Sequence, residues 1–538
     1  MRAWSAPVVL SSIVLAGWLS GGMAQDVGFA PPGSNPSPNE QTGSENLPPG
    51  VIPQPTPDNP GLVTGVTLGE LYTDNLKLAA SGASKQSSWI TVIQPFLRSA
   101  ASGPRFSGIF DYKLTGYVYE GGSNHDQLAQ DLHAQGTLAV VPQHLFLDGT
   151  ATYGREIINN ELPAGQGTFF LNNNQANVAT ASLSPYWIQD LGNVGTMSLR
   201  YTRGRVVYNR RGIPDQNGAS LTGVPDVTSN SVQFSLVGPK YEAWGWNVGY
   251  TEQRLSRGFA PQTVNSTPPT NLDGGFEQPS NPDFGRSSDF AVAQAGISRQ
   301  INPSTRLLAD AGKENKYLPD GSYQHLGAAF WDAGFEWAST RDSFKLLVGH
   351  RFYGHSGQLS WTHTAALLTT LVEYMEKPTD LNQQLLGQNP GEIAITPIGT
   401  PQIPSLIESR VYLMKRASAV ATYEMPKGQL SLTLYDESRK YFELDNAREK
   451  VENANLAWLF DWGPFTTFTP TVGWQRYQFR DGQINNTRYV QLALVHQISP
   501  DNFGSLRLRN DSRSVDEALQ GAHGYRVNVI YFEWTHLF

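Results

Sequence analysis

From about residue 66 onward the chain repeats one pattern, with large apolar side chains at every second position and small or polar ones between them. In "SVQFSL", Val232, Phe234 and Leu236 alternate with Ser231, Gln233 and Ser235. "QLSLTLY" sets Leu430, Leu432 and Leu434 against Ser431, Thr433 and Tyr435. "WGWNVGY" sets Trp244, Trp246, Val248 and Tyr250 against Gly245, Asn247 and Gly249. "VQLALVHQIS" (490–499) and "SLRLR" (505–509) follow the same rule. A period of two is that of a β-strand with one apolar face. Alternation alone fits two architectures. In a soluble sandwich the polar face meets bulk water; in a membrane barrel it lines a lumen and the apolar face meets lipid.

Three features favour the barrel. The pattern continues to residue 538 without a helical segment or a long apolar span. Tight turns also alternate with long polar connections. The turns are at 101–105, 141–144, 238–242, 301–305, 339–343, 425–429, 461–465 and 499–503; the long stretches are 159–175, 209–229 and 256–286. Short turns at one end and long loops at the other are the outer-membrane arrangement, with the short ones periplasmic. Closing the sheet removes the exposed edges that would otherwise template aggregation. The third feature is the aromatic end, "VNVIYFEWTHLF", in which Ile530, Phe532, Trp534, His536 and Phe538 share one face and Tyr531, Glu533, Thr535 and Leu537 the other. This resembles the last strand of outer-membrane barrels, which the barrel-assembly machinery reads. Ile530, Phe532, Trp534 and Phe538 match that signal and His536 departs from it.

The expected fold is therefore an all-β, transmembrane antiparallel outer-membrane β-barrel of about 20–22 strands, uncertain by two. Up-down parity breaks between "FKLLVGHRFYG" and "VYLMKRASAVATY" unless "GEIAITPIG" (391–399) forms a strand, so the topology of 376–405 is open. Residues 1–24 read as a signal peptide, with a short apolar core at 6–20 and a small-x-small site at Gly22-Met23-Ala24. Ten of the thirty residues in 31–60 are Pro, so 25–64 reads as a disordered periplasmic segment. The barrel then occupies 65–538. A length of 538 residues would ordinarily imply several domains, but no internal boundary follows.

Composition excludes several functions. A net charge of −8 gives no basic footprint for nucleic acid. The absence of cysteine removes lipoprotein anchoring, disulfides and thiolate chemistry, and fits an exported chain of a Gram-negative cell. Aromatic residues at 11% and a mean hydropathy of −0.35 make the chain too aromatic for disorder and too polar for a helical membrane protein.

Little catalytic chemistry is visible. Ser356 in "GHSG" lacks the Gly-x-Ser-x-Gly elbow, because Gln358 breaks it. In "SWTHTA", Ser360 and Thr362 share a face and His363 points the other way. His350 and His355 flank a bend, and no histidine pair has i, i+2 strand spacing with a carboxylate. Isolated rim or lumen histidines are the expectation. "NDSRSVDE" (510–517) carries oxygen ligands but lacks the central Gly of a calcium loop, and reads as a solvated extracellular loop. No enzymatic activity, cofactor or metal is expected.

Strand phase points Asp111, Lys113, Arg200, Glu437, Arg439, Arg507, Arg509 and Glu533 into the lumen. The mixture of signs argues against selection for a strongly charged solute. With Tyr117, Tyr435 and Tyr441 also available, it suits a neutral or weakly charged polymer. For any single charge, pairing that braces the wall takes precedence over transport.

"LGELYTDNLKLA" (68–79), "GGSNHDQLAQDLHAQGTLAVVPQHLFLDGTATYGREIINN" (121–160) and "SRVYLMKRASAVATYEMPKGQLSLTLYDESRKY" (409–441) resemble the PEP-CTERM-system-associated outer-membrane proteins, a family found with exopolysaccharide and exosortase genes. The likeness spans roughly 66–538. It implies an outer-membrane location and a passive conduit or scaffold for polymer secretion, and it brings no catalytic residues. The partners implied are outer-membrane lipid, the barrel-assembly machinery, exopolysaccharide and periplasmic export components. Two other readings stay open: a general diffusion porin with 256–286 or 376–405 as its constriction, and a non-conducting structural barrel.

Overall fold

The computed structural model describes residues 55–120, 126–157, 159–165, 167–171, 174–209, 226–238, 243–258, 287–386, 410–443, 447–516 and 522–538. Residues 1–24, read above as a signal peptide, most of the 25–64 stretch and 391–399 lie outside these.

The described chain is a closed 22-stranded antiparallel β-barrel. The first quarter is β1 (Gly61–Thr73), β2 (Ser88–Ser102), β3 (Phe106–Tyr119), β4 (Gln127–Val141), β5 (Leu145–Ile157) and β6 (Gln175–Asp190). Next come β7 (Thr196–Asn209), β8 (Val227–Val237), β9 (Trp244–Arg257), β10 (Ser288–Asn302) and β11 (Thr305–Tyr317). The third part is β12 (Tyr323–Ala338), β13 (Asp342–Arg351), β14 (Gly354–Thr364), β15 (Leu368–Thr379), the short helix α1 (Leu381–Leu385) and β16 (Tyr412–Met425). The last is β17 (Gly428–Tyr441), β18 (Arg448–Gly463), β19 (Thr466–Gln478), β20 (Ile484–Ser499), β21 (Asn502–Asp516) and β22 (Tyr525–Leu537).

Each strand pairs with its sequence neighbours, and β22 pairs with β1 in the register Leu68↔Trp534, Glu70↔Phe532 and Tyr72↔Ile530. Phe538 N–H donates to Thr64 O at 2.9 Å, so the terminal residue is part of the seam. His536 joins the aromatic row on the same outer face, stacked on Trp534 at 5.8 Å and edge-on to Phe538 at 5.2 Å.

The two faces are partitioned the opposite way from a water-soluble protein. Leu432 and Leu434 are 38% and 43% exposed, while Thr433 and Tyr435 between them are 3% and 9% exposed. Apolar residues form the outer surface and polar ones the inner wall, which is the transmembrane arrangement. Among the described residues the tight turns join strand ends at one side of the barrel, and the strand ends that flank the three long stretches lie at the other, the side that long loops make extracellular.

Parity is restored differently from the sequence expectation. Residues 354–379 form a hairpin, β14 and β15, joined by residues 365–367, and β15 pairs directly with β16. No strand at 391–399 is needed. The turn was hard to see because Ala365, Ala366 and Leu367 include neither Gly nor Pro. The stretch 510–516 also differs from expectation, since it is the upper end of β21 rather than a loop, with Asp511 held by Arg509 at 2.9 Å.

Candidate functional site: a lumen bridged at its outer end

Twenty-two strands at 4.8 Å spacing and about 40° tilt would close a round barrel roughly 40 Å across between wall centres. At the extracellular end that opening is crossed by chain. α1 leaves β15 and is buried along its whole length. Its start is organised by Asp380, whose carboxylate accepts from Gln383 N–H at 2.9 Å as an N-cap. Leu381, Leu385 and Leu386 then pack on Ala176 and Val178 of β6, Val206 and Tyr208 of β7, Val227 of β8 and Leu255 of β9.

Polar contacts fix the helix to walls on both sides. Tyr208 Oη donates to Asn382 Oδ1 at 2.8 Å, and Gln383 Nε2 donates to Gln253 Oε1 of β9 at 2.6 Å. Gln384 Nε2 donates to Tyr412 Oη of β16 at 2.8 Å. Arg257 of β9 lies 3.7 Å from Asp380. A five-residue helix is only about 8 Å long, and its side chains reach β7 and β9 on one side and β16 on the other. Burial pushes the Asp380 carboxyl up to about 6, because desolvation outweighs the opposing pull of Arg257 and the helix N–H groups.

The β5–β6 connection makes a second bridge. The rings of Phe169 and Phe170 lie tilted against each other with centroids 4.2 Å apart, and both bury in a cluster with Leu71, Ile90, Val92, Tyr117 and Tyr531. Tyr119 Oη donates to Phe169 O at 2.5 Å, and Tyr525 Oη donates to Ala164 O at 2.7 Å. Asn485 Nδ2 of β20 donates to Asn160 O at 3.1 Å, and the Arg513 guanidinium of β21 donates to the carbonyls of Asn160, Glu161 and Leu162. A third contact joins Phe442, just after β17, to Tyr317 of β11 at 5.4 Å and to Phe352 at 5.5 Å.

The inner wall below these bridges is laced by paired charges. Asp111 lies on it beside Arg98 at 3.1 Å, and Lys113 is on the same face. Arg200 binds Asp148 at 2.8 Å and covers the Tyr186 ring. Glu437 binds Arg416 at 2.7 Å and also Arg439; Arg439 in turn donates to Tyr477 Oη at 2.8 Å. Arg507 pairs with Glu533 at 3.5 Å, and Arg509 with Asp511. Each of the eight residues therefore lies on the inner face. Tyr117, Tyr435 and Tyr441 do too, but all three are buried, bonded to Thr168, Glu437 and Glu449 respectively, and present no free aromatic face. Hydroxyl pairs fill much of the rest: Thr67 with Thr535, Thr152 with Thr180, Ser184 with Thr202 and Ser198 with Ser235, at 2.5–2.8 Å.

Ser356 donates to Asp332 at 3.2 Å and His363 bonds Asp342 at 2.7 Å, so neither contributes to a nucleophile-base pair with the other. One histidine differs from the sequence expectation: Glu252, Asp289 and His325 bring ligand atoms within 4.8 Å of one another. They come from three strands, so no local spacing marks them.

No family model matches the chain, and no curated protein matches it. Solved structures with a similar outline include the ferric enterobactin receptor PfeA of Pseudomonas aeruginosa (12% identity, TM-score 0.44, 89% of this chain and 81% of that one). The FrpB iron transporter of Neisseria meningitidis is similar at 10% identity and TM-score 0.47, over 88% of this chain and 81% of that one. The siderophore receptor PirA of Acinetobacter baumannii is similar at 9% and 0.45, over 88% and 80%. Similarities at this level say nothing about what this chain binds or passes.

Proposed function

We propose that this protein is an outer-membrane conduit, closed at its extracellular end in the state described, that opens for a neutral or weakly charged polymer of the exopolysaccharide class. The observation that carries the closed state is α1, which is hydrogen-bonded to β7, β9 and β16 at once. A general diffusion porin needs a standing aperture, and three bridges across the outer end oppose it. The choice of polymer rests on the resemblance at 68–79, 121–160 and 409–441. Two properties of the wall support it. Many of its charges are paired with one another, and its hydroxyls offer weak, interchangeable hydrogen bonds to a sliding sugar chain. Opening requires α1 and the β5–β6 connection to move, and passage down the lumen then needs no chemistry from the barrel.

The same braces favour one other reading, a scaffold through which nothing passes. Proteoliposomes separate the two. Vesicles carrying a Leu381→Ala, Leu385→Ala variant should release entrapped neutral oligosaccharides, and release anionic ones of equal length more slowly. No release from any variant would favour the scaffold, and equal release of both would remove the preference for neutral chains.

A further inference from the structure

The geometry points to a divalent transition-metal site on the outer face of the barrel's extracellular rim, formed by Glu252, Asp289 and His325. Glu252 lies on β9 in phase with the exposed Trp244, Trp246 and Val248, so it faces outward above the apolar belt. Asp289, near the start of β10, pairs with Arg254 and is in phase with the exposed Ile297, so it shares that face.

His325 reaches these carboxylates through a bulge. Glu314 of β11 pairs with Ala328 and Lys316 with Gln324, leaving 325–327 opposite the single residue Asn315. Leu326 at the crest has φ +47°, a left-handed conformation that costs a non-glycine residue on the order of 1 kcal/mol. Asn315 holds it there. Its Oδ1 accepts from Leu326 N–H and its Nδ2 donates to Asp289 O, both at 2.9 Å. Bulges that re-aim a side chain at a backbone cost are common beside functional sites.

A second observation is independent of the clustering. Asp289 is 1% exposed, and its Oδ1 has no hydrogen-bond partner among the described residues. Its Oδ2 takes a hydrogen bond from Tyr323 at 3.1 Å and lies 3.5 Å from Arg254. A buried carboxylate oxygen with no donor carries a desolvation cost that a cation would offset. Arg254 gives partial compensation only, since its contacts to Asp289 and Glu252 are 3.5 and 3.8 Å and its side chain is more than half exposed. It is free to swing aside.

One imidazole with two carboxylates suits zinc or a neighbouring first-row ion better than calcium or magnesium, which favour all-oxygen shells. Water would complete the coordination. Such an ion would tie the tops of β9, β10 and β12 together where the chain leaves for the long 258–287 connection.

The test is calorimetric titration of Zn²⁺ into the refolded full chain in detergent, at neutral pH. One equivalent is expected to bind, with affinity falling at least tenfold in His325→Ala and in Asp289→Asn. His355→Ala, at the same end of the barrel, and Arg254→Ala should keep the wild-type affinity or better it. Co²⁺ should give a visible d–d band that His325→Ala abolishes. His325 is exposed, so its variant should fold even where Asp289→Asn does not, and heat-modifiable gel migration checks folding in each. No stoichiometric Zn²⁺ binding, or binding indifferent to His325→Ala, would overturn the assignment.

Discussion

Tyr208 and Asn382 are 174 residues apart in the chain, and the tyrosine hydroxyl donates to the amide oxygen across the barrel mouth at 2.8 Å. That bond belongs to a set that holds a five-residue helix too short to be stable by itself. α1 owes its structure to its docking, so weakening the docking should release it as a unit. Leu381→Ala with Leu385→Ala removes two fully buried side chains, each worth about 2–5 kcal/mol where the site cannot collapse. Tryptic cleavage within 380–411 should become faster in the variant, with the barrel's heat-modifiable migration unchanged. Unchanged protection would show that other contacts hold the segment.

Docking of α1 should depend on pH through Asp380. Its carboxyl is raised to about 6 when docked, whereas a released, solvated aspartate titrates near its ordinary value of about 3.9. The docked form thus holds the proton more tightly. Docking is at full strength below about pH 4, weakens by up to tenfold per pH unit as pH rises towards 6, and is constant above that. Protease protection of 380–411 should be greater at pH 4.5 than at pH 7.5. Asp380→Asn keeps an N-cap residue and should remove the difference. Greater protection at the higher pH would reverse the sign and contradict the account.

The wall charges should differ sharply in worth. Glu437→Gln leaves Arg416 and Arg439 buried with their shared partner neutralised, and loss of a buried partner costs about 3–5 kcal/mol. Asp111→Asn breaks a pair that is partly open to solvent, worth about 1 kcal/mol or less. Urea unfolding from lipid vesicles should rank them in that order. Equal effects would mean that the Glu437 cluster is not the brace described.

The outer belt should behave as a lipid contact. Leu434→Arg is expected to cost about 2–4 kcal/mol in vesicles if Leu434 lies near the bilayer midplane. An exposed surface substitution in water ordinarily stays within about 0.5 kcal/mol. A change that small, measured by the same unfolding assay, would place Leu434 outside the membrane.

The barrel wall was legible because each strand carries its own signal. Leu430, Leu432 and Leu434 declare their face without reference to any neighbour, and turns such as Pro426-Lys427 mark hairpins locally. The β14–β15 hairpin was missed because its turn lacks such residues. An inward fold of 376–405 was expected only as a porin's constriction, and neither the helix within it nor the β5–β6 bridge could be read from the sequence. "LNQQLL" reads as a polar loop with three leucines, and only its partners on β6–β9, more than a hundred residues away in sequence, make a helix there worthwhile. Glu252, Asp289 and His325 likewise come together only through strand register and a bulge.

The most direct test is single-channel conductance in planar bilayers, comparing the wild type with the Leu381→Ala, Leu385→Ala variant and adding neutral oligosaccharides of increasing length. The wild type should be silent or open rarely, the variant should show large openings, and block should strengthen as the sugar chain lengthens. Large, steady wild-type openings that ignore both the substitutions and the sugars would contradict a conduit closed by α1.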